Sequence, residues 1–304
     1  MAEDVIDPTY LPFTAEQLRA HFLVDRDSHI AYFQRSAQAY RDFIRNRLNR
    51  QGIPVKHARG PCLIEKDERF WTATAMKRLV QNPAALQFVL SDTFGQEPPL
   101  PAFRTWAQCV EGRLALVLEA ALPSPDSYVR WLRQNVRSSH LIPYVLHAAQ
   151  RESVRTLEGA THVDALVVNV DNGFSVIVES KVLSDISCVV SFDVFRNQIA
   201  RNVDVMLESS VGLGLPLEAR DPDRSVFLLV SPACFRERPQ SRLYGWLFDE
   251  YTSSPSALQR DLPHRRSVNW THVARRLGWT TFERVAFVDP AACPWIQSSA
   301  TAEP

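Results

Sequence analysis

No CxxC pair, no glycine-rich phosphate loop and no G-x-S-x-G elbow occurs in these 304 residues. No uninterrupted apolar run is long enough to cross a bilayer. These absences exclude a cysteine-ligated zinc site, a P-loop nucleotide hydrolase, an elbow-type serine hydrolase and a helical membrane protein. The stretch "GLGLP" at Gly212–Pro216 follows no strand and ends in proline, so it is not a dinucleotide fingerprint. Excess charge is lacking too. Lys plus Arg number 34 and Asp plus Glu number 34, so summed charge gives no pointer to nucleic acid, although a cleft can still carry a local field. The five cysteines are scattered and odd in number, as in a chain with reduced thiols. The opening "MAEDVIDPTYLPF" is acidic and broken by Pro8 and Pro12, unlike a secretory signal. A cytoplasmic protein with no membrane partner is expected.

Apolar residues at helical spacing from Thr14 to Arg50, and again from Glu68 to Leu90, predict a helical N-terminal region over residues 1–100. The basic run Arg41, Arg45, Arg47, Arg50, Lys56, Arg59 reads as a solvated helix face, with a phosphate-contacting surface as the alternative. The proline-rich "GQEPPLPAF" (Gly95–Phe103) is the natural linker to a second domain at 101–297, with a disordered tail at 298–304. There, "RTWAQCVEGRLALVLEAAL" reads as helix. A further helix runs from Asp126 to Gln150 with a break near Pro143, and "SVRTL" (Ser153–Leu157) reads as a short strand. Phe192, Phe195, Ile199, Val203 and Met206 fall on one helical face. "SVFLLVSP" reads as a buried strand, "NWTHVARRLGW" as a helix and "RVAFV" as a late strand.

The informative stretch is "THVDALVVNVDNGFSVIVESKVL" (Thr161–Leu183). Two β-branched runs flank Asn172-Gly173, a strong hairpin signal. Each run carries charge: Asp164 in the first, Glu179 and Lys181 in the second. A two-residue turn sets Leu166 opposite Glu179 and Asp164 opposite Lys181. Opposed residues share a face, so all three charges project from one side. Two carboxylates so placed suit Mg2+, a hard ion that prefers oxygen ligands, and Mn2+ can substitute. Metal-assisted phosphodiester hydrolysis follows, with Asp164 and Glu179 as ligands and Lys181 stabilising developing negative charge. The bland reading makes Asp164 an edge charge and Glu179–Lys181 a surface pair.

Asp164 followed by a hairpin, "ESK" (Glu179–Lys181), an amphipathic helix and another strand resembles the PD-(D/E)XK nuclease superfamily. The resemblance covers about Asp126–Val230. Val163 stands where the family name has proline. It implies an α/β fold: a restriction-endonuclease-like mixed sheet with an α-β-β-β-α-β core flanked by helices, here behind the helical N-terminal region. The core would be helix Asp126–Gln150, strand Val154–Leu157, the hairpin, helix Phe192–Glu208 and strand Val226–Val230. It also implies a Mg2+-dependent nuclease, restriction-, repair- or defence-like, acting on DNA, with RNA as an alternative. Double-strand cutting would call for a homodimer. Asp164, Glu179 and Lys181 would be catalytic, with Gln198 supporting them. Glu152 or Glu158 would supply a further acid, and Arg201 would touch the nucleic-acid backbone. The rival expectation is an inactive nuclease-like fold that binds nucleic acid or protein without cleavage.

Overall fold

A computed structural model describes residues 4–47, 64–139, 142–150, 158–186 and 196–296. Two short strands, β1 (Val5–Asp7) and β2 (Leu11–Thr14), form an antiparallel pair. They are followed by α1 (Ala15–Arg19), α2 (Arg26–Arg47), α3 (Glu68–Gln81), α4 (Pro83–Phe94), α5 (Trp106–Val110) and β3 (Leu114–Leu122). Next come α6 (Asp126–Ser139), α7 (Pro143–Gln150), the hairpin β4 (Thr161–Asn169) and β5 (Ser175–Ser180), then α8 (Gln198–Met206) and β6 (Ser225–Ser231). The remaining elements are α9 (Ala233–Glu237), α10 (Leu243–Ser253), α11 (Pro255–Asp261), α12 (Trp270–Arg275), β7 (Leu277–Thr281) and α13 (Phe282–Val288).

The chain is a mixed α/β protein built on a five-stranded sheet of order β3-β4-β5-β6-β7, beside the separate two-stranded sheet. The pairs β3–β4 and β4–β5 are antiparallel, and β5–β6 and β6–β7 are parallel. Helices cover both faces. On one, Ala165, Val167, Val176, Val178 and Leu228 pack with Phe70, Ala73, Met76 and Leu79 of α3 and with the N-terminal elements. On the other, Leu166, Val168, Ile177, Phe227 and Leu229 pack with Ile199 and Val203 of α8 and Tyr244 of α10. Burial on both faces explains why these strands are almost wholly apolar. Residues on both sides of the proline-rich stretch Gly95–Phe103 contribute to the first of these cores.

Three expectations are corrected. The segment expected to be helical up to Leu122 is helical only over α5 and then becomes strand β3, paired with β4 from Leu114↔Asn169 to Leu122↔Thr161. Its Leu- and Ala-rich composition favours helix locally, but pairing and burial decide. Near the C-terminus the strand is "LGWTT" (Leu277–Thr281), and "RVAFV" belongs to α13, capped by Thr281 accepting from the Arg284 N–H. The hairpin loop has four residues rather than two. Asn169 N–H donates to Phe174 O (2.8 Å) and Gly173 N–H to Asn169 O (2.9 Å). Gly173 has φ +78°, and a Cβ there would lie 3.1 Å from Asp221 Cβ and 3.3 Å from Ala219 O. Only glycine suits that position. The break expected at Pro143 is present, between α6 and α7. The strand expected at Val154–Leu157, Glu152, Phe192, Phe195 and the tail 298–304 lie outside the described residues.

A part-buried polar chain ties the first helices to the sheet edge. Lys77 Nζ donates to Gln17 O (3.2 Å) and to His21 Nε2 (3.0 Å), while His21 Nδ1 lies 3.2 Å from Leu116 O. An Nδ1 proton donated to that carbonyl leaves Nε2 to accept from the ammonium. Burial, and then the charge on Lys77, holds the His21 pKa below its ordinary value. A depressed folded-state pKa means stability is fully present above the unfolded value of about 6.5 and is lost as pH falls through the folded one. The urea midpoint should therefore fall between about pH 7.5 and about pH 5.5. His21→Gln, which cannot ionise, should shrink that fall. An unchanged pH dependence in the variant would refute the assignment.

Candidate active site

The hairpin pairs Ala165 with Val178 and Leu166 with Ile177. The same register sets Asp164 directly opposite Glu179, two residues from the pairing expected of a tight turn. A two-residue shift preserves facing, so Asp164 and Glu179 still share the side of the sheet that α8 covers. Glu179 is fully buried and Asp164 partly exposed. Lys181 follows at the end of β5, 5% exposed, with Nζ 2.7 Å from Glu179 Oε1. Three of the predicted residues thus lie at one end of the central strands.

The fourth joins them from α8. Gln198 Nε2 donates to Glu179 Oε1 (2.5 Å) and Asn202 Nδ2 to Glu179 Oε2 (2.8 Å). The spacing of one helical turn lets both amides reach the same carboxylate. Asn197 caps α8 by accepting from the Ala200 N–H (3.0 Å). Asp164 Oδ2 accepts from the Ser180 N–H (2.7 Å), which fixes the carboxylate against β5.

Of the two further acids expected, Glu152 lies outside the described residues and Glu158 is turned to other partners. Glu158 pairs with Arg196 (2.9 Å) and with Arg201 (3.0 Å), whose side chain is 26% exposed. Among the described residues, Glu68 in the first turn of α3 is an acid that reaches the site. Its Oε2 lies 3.6 Å from Lys181 Nζ, and its Oε1 accepts from the Val182 N–H (3.1 Å) and from Ser184 Oγ. Glu119 of β3 is the other unforeseen member. It lies opposite Asp164, between the pairs Leu118↔Ala165 and Ala120↔Val163, and its φ is +50°. Glu119, Asp164 and Glu179 thus form a row of acids across three neighbouring strands.

Such a row strains its own ionisation. Burial, then the Glu179 charge, pushes the Asp164 pKa well above the carboxylate range, and Lys181 only partly offsets this. Burial likewise raises Glu179, against Lys181 and the hydrogen bonds it accepts. The two share charge as a pair rather than ionising independently. Burial alone would lower the Lys181 pKa, but Glu179, Glu68 and Asp164 together raise it, so the ammonium stays charged at neutral pH.

The donor set is all oxygen, which matches Mg2+ or Mn2+ rather than a thiophilic metal. Ser180 Oγ and Asn202 Oδ1 are buried without a hydrogen-bond partner among the described residues. No group of three or more His, Cys, Asp or Glu side chains among the described residues is gathered for a metal ion. An ion here would therefore rest on Asp164 and Glu179, completed by water and substrate oxygens, as Mg2+ commonly is. No helix among the described residues is long and apolar enough to cross a membrane. Scans against models of protein families, curated proteins and solved structures find no match for the chain.

Proposed function

We propose that the chain is a Mg2+-dependent nuclease of the PD-(D/E)XK type, hydrolysing phosphodiester bonds of DNA. The observation that carries this reading is the opposition of Asp164 and Glu179 with the Lys181 ammonium 2.7 Å from the second carboxylate. With α4 to α7 set aside as insertions, the order α3-β3-β4-β5-α8-β6 can be laid on the α-β-β-β-α-β core of that superfamily, which supports the reading. In this reading α3 and β3 serve as the first helix and first strand of the core, whereas the sequence pointed to the Asp126–Gln150 helix and to a Val154–Leu157 strand that lies outside the described residues.

Each residue has a task that follows from its surroundings. Gln198 and Asn202 fix the orientation of Glu179, and the Ser180 amide fixes Asp164. Lys181 remains protonated, so it is no general base. It stabilises the negative charge that grows on the phosphoryl oxygens in the transition state. Asp164 and Glu179 would hold a divalent ion, which when bound would supply charge neutralisation and lower the pKa of a water. The raised pKa values of the two acids fit this, since a cation relieves the repulsion that otherwise keeps a proton on the pair.

Incubation of plasmid DNA and of RNA with the protein should give cleavage in Mg2+ or Mn2+ and none in EDTA. Absence of cleavage of either polymer, with calorimetry showing no Mn2+ binding, would end this reading. The near-complete burial of Glu179 and Lys181 favours one rival, a nuclease-like module that binds without cutting. Retained binding with no cleavage in either metal would select it.

A further inference from the structure

We infer that Arg69 is the residue that grips the phosphodiester backbone beside the scissile bond, and that the Glu119 carboxylate holds its guanidinium in place by standing where a phosphate will lie. This rests on the nuclease reading above. Arg69 follows Glu68 in the first turn of α3, so it leaves the helix at the end that meets Lys181 and the acid row. The Arg69 guanidinium carbon lies 4.6 Å from the centre of the Tyr32 ring. That ring is itself anchored, because the Tyr32 hydroxyl donates to Asp67, the N-cap of α3. A cation–π contact with an anchored ring restrains where the guanidinium sits.

The pairing with Glu119 is loose. Arg69 Nε lies 3.4 Å from Glu119 Oε1, and the guanidinium makes no hydrogen bond among the described residues. A fork that offers five donors is thus left with a single long contact. A phosphate presents two oxygens to the same fork and can take it bidentately, so it outcompetes that contact. Glu119 makes this contact from φ +50°, a left-handed conformation that a glutamate in a strand does not adopt without cost.

The charge around the site points the same way. Glu68, Glu119, Asp164 and Glu179 face two cations, Lys181 and Arg69. A phosphodiester chain approaching four acids needs a positive group it can reach. The Lys181 side chain is 6% exposed and that of Arg69 is 45% exposed. Of these two cations, Arg69 is the one that a polymer can reach from solvent.

The test is binding of short fluorescently labelled DNA duplex and RNA strands, read by anisotropy over a salt series with Ca2+ replacing Mg2+. Arg69→Gln should weaken binding about ten-fold and make the slope of log affinity against log salt shallower by about one. Arg69→Lys should recover the slope but only part of the affinity, because charge returns without the fork. Glu119→Gln should tighten binding several-fold by removing the competing anion. Wild-type affinity and slope in Arg69→Gln would overturn the inference while leaving the nuclease reading intact. So would Glu119→Gln binding as weakly as Arg69→Gln. If the wild-type protein binds neither polymer, the nuclease reading falls first and this inference with it. Circular dichroism of each variant separates loss of contact from loss of fold.

Discussion

Asp164→Asn should reduce metal-dependent cleavage by at least about a thousand-fold while leaving the protein as stable as the wild type or more so. Activity and stability part company at this position because the carboxylate is costly to the fold. Burial and the facing Glu179 both disfavour its charged form. A folded-state pKa above the unfolded one means that stability is present at low pH and is lost as pH rises through the folded value. Asparagine keeps the shape and can still accept from the Ser180 amide, but carries no charge to repel Glu179. The melting temperature of Asp164→Asn at neutral pH should therefore match or exceed that of the wild type. Lys181→Met should lose cleavage by a similar factor, but with a penalty to the fold, since it leaves Glu179 and Glu68 without their shared cation. Full cleavage by Asp164→Asn would sink the proposed function outright. A large fall in its melting temperature would show instead that the acid is structural.

The hairpin was legible because its signals are local. β-branched runs flank Asn172-Gly173, and the loop forms there, though with four residues between Asn169 and Phe174. The expected register was displaced by two, yet the shared face of Asp164, Glu179 and Lys181 survived, because a strand's facing repeats every two residues. Gln198 was legible for the same kind of reason. It stands at the start of an amphipathic helix that follows the strand it must reach. β3 was not legible, since nothing in "LALVLEAAL" distinguishes a strand buried on both faces from a helix. Glu68, Arg69 and Glu119 were harder still. Glu68 meets Val182 across a separation of 114 residues, a distance that packing of α3 on the sheet creates and no spacing rule encodes. Nor does any sequence pattern announce a glutamate at positive φ. The acid-and-lysine core of the site is thus written in short range, and the residues proposed to handle substrate are written in tertiary contacts.

The largest loss of stability should come from a carboxylate that takes no part in the chemistry. Asp204, on α8, is fully buried against two arginines and a histidine. Its Oδ2 accepts from Arg196 Nη1, and its Oδ1 accepts from Arg265 Nε and lies 3.0 Å from His264 Nε2. Burial by itself would raise its pKa, but hydrogen bonding from His264 and the charges of Arg265 and Arg196 hold it below the carboxylate range. Arg196 is itself fully buried and lies 3.3 Å over the Tyr128 ring. Asp204→Ala takes the central anion out of this cluster and leaves buried guanidinium groups undercompensated, a change that costs roughly 3 to 5 kcal/mol. Urea unfolding at neutral pH should report a loss of that size, against little or none for Asp164→Asn. A loss below about 1 kcal/mol would mean that Arg196 and Arg265 are satisfied without Asp204. Because the sign of its pKa shift is opposite to that of Asp164, the Asp204 contribution is present above the ordinary carboxylate pKa and is lost on acidification. Asp204 also binds α8 to the segment carrying His264 and Arg265, and α8 carries Gln198 and Asn202. The Asp204→Ala protein should therefore retain cleavage at low temperature and lose it on warming, in step with its unfolding.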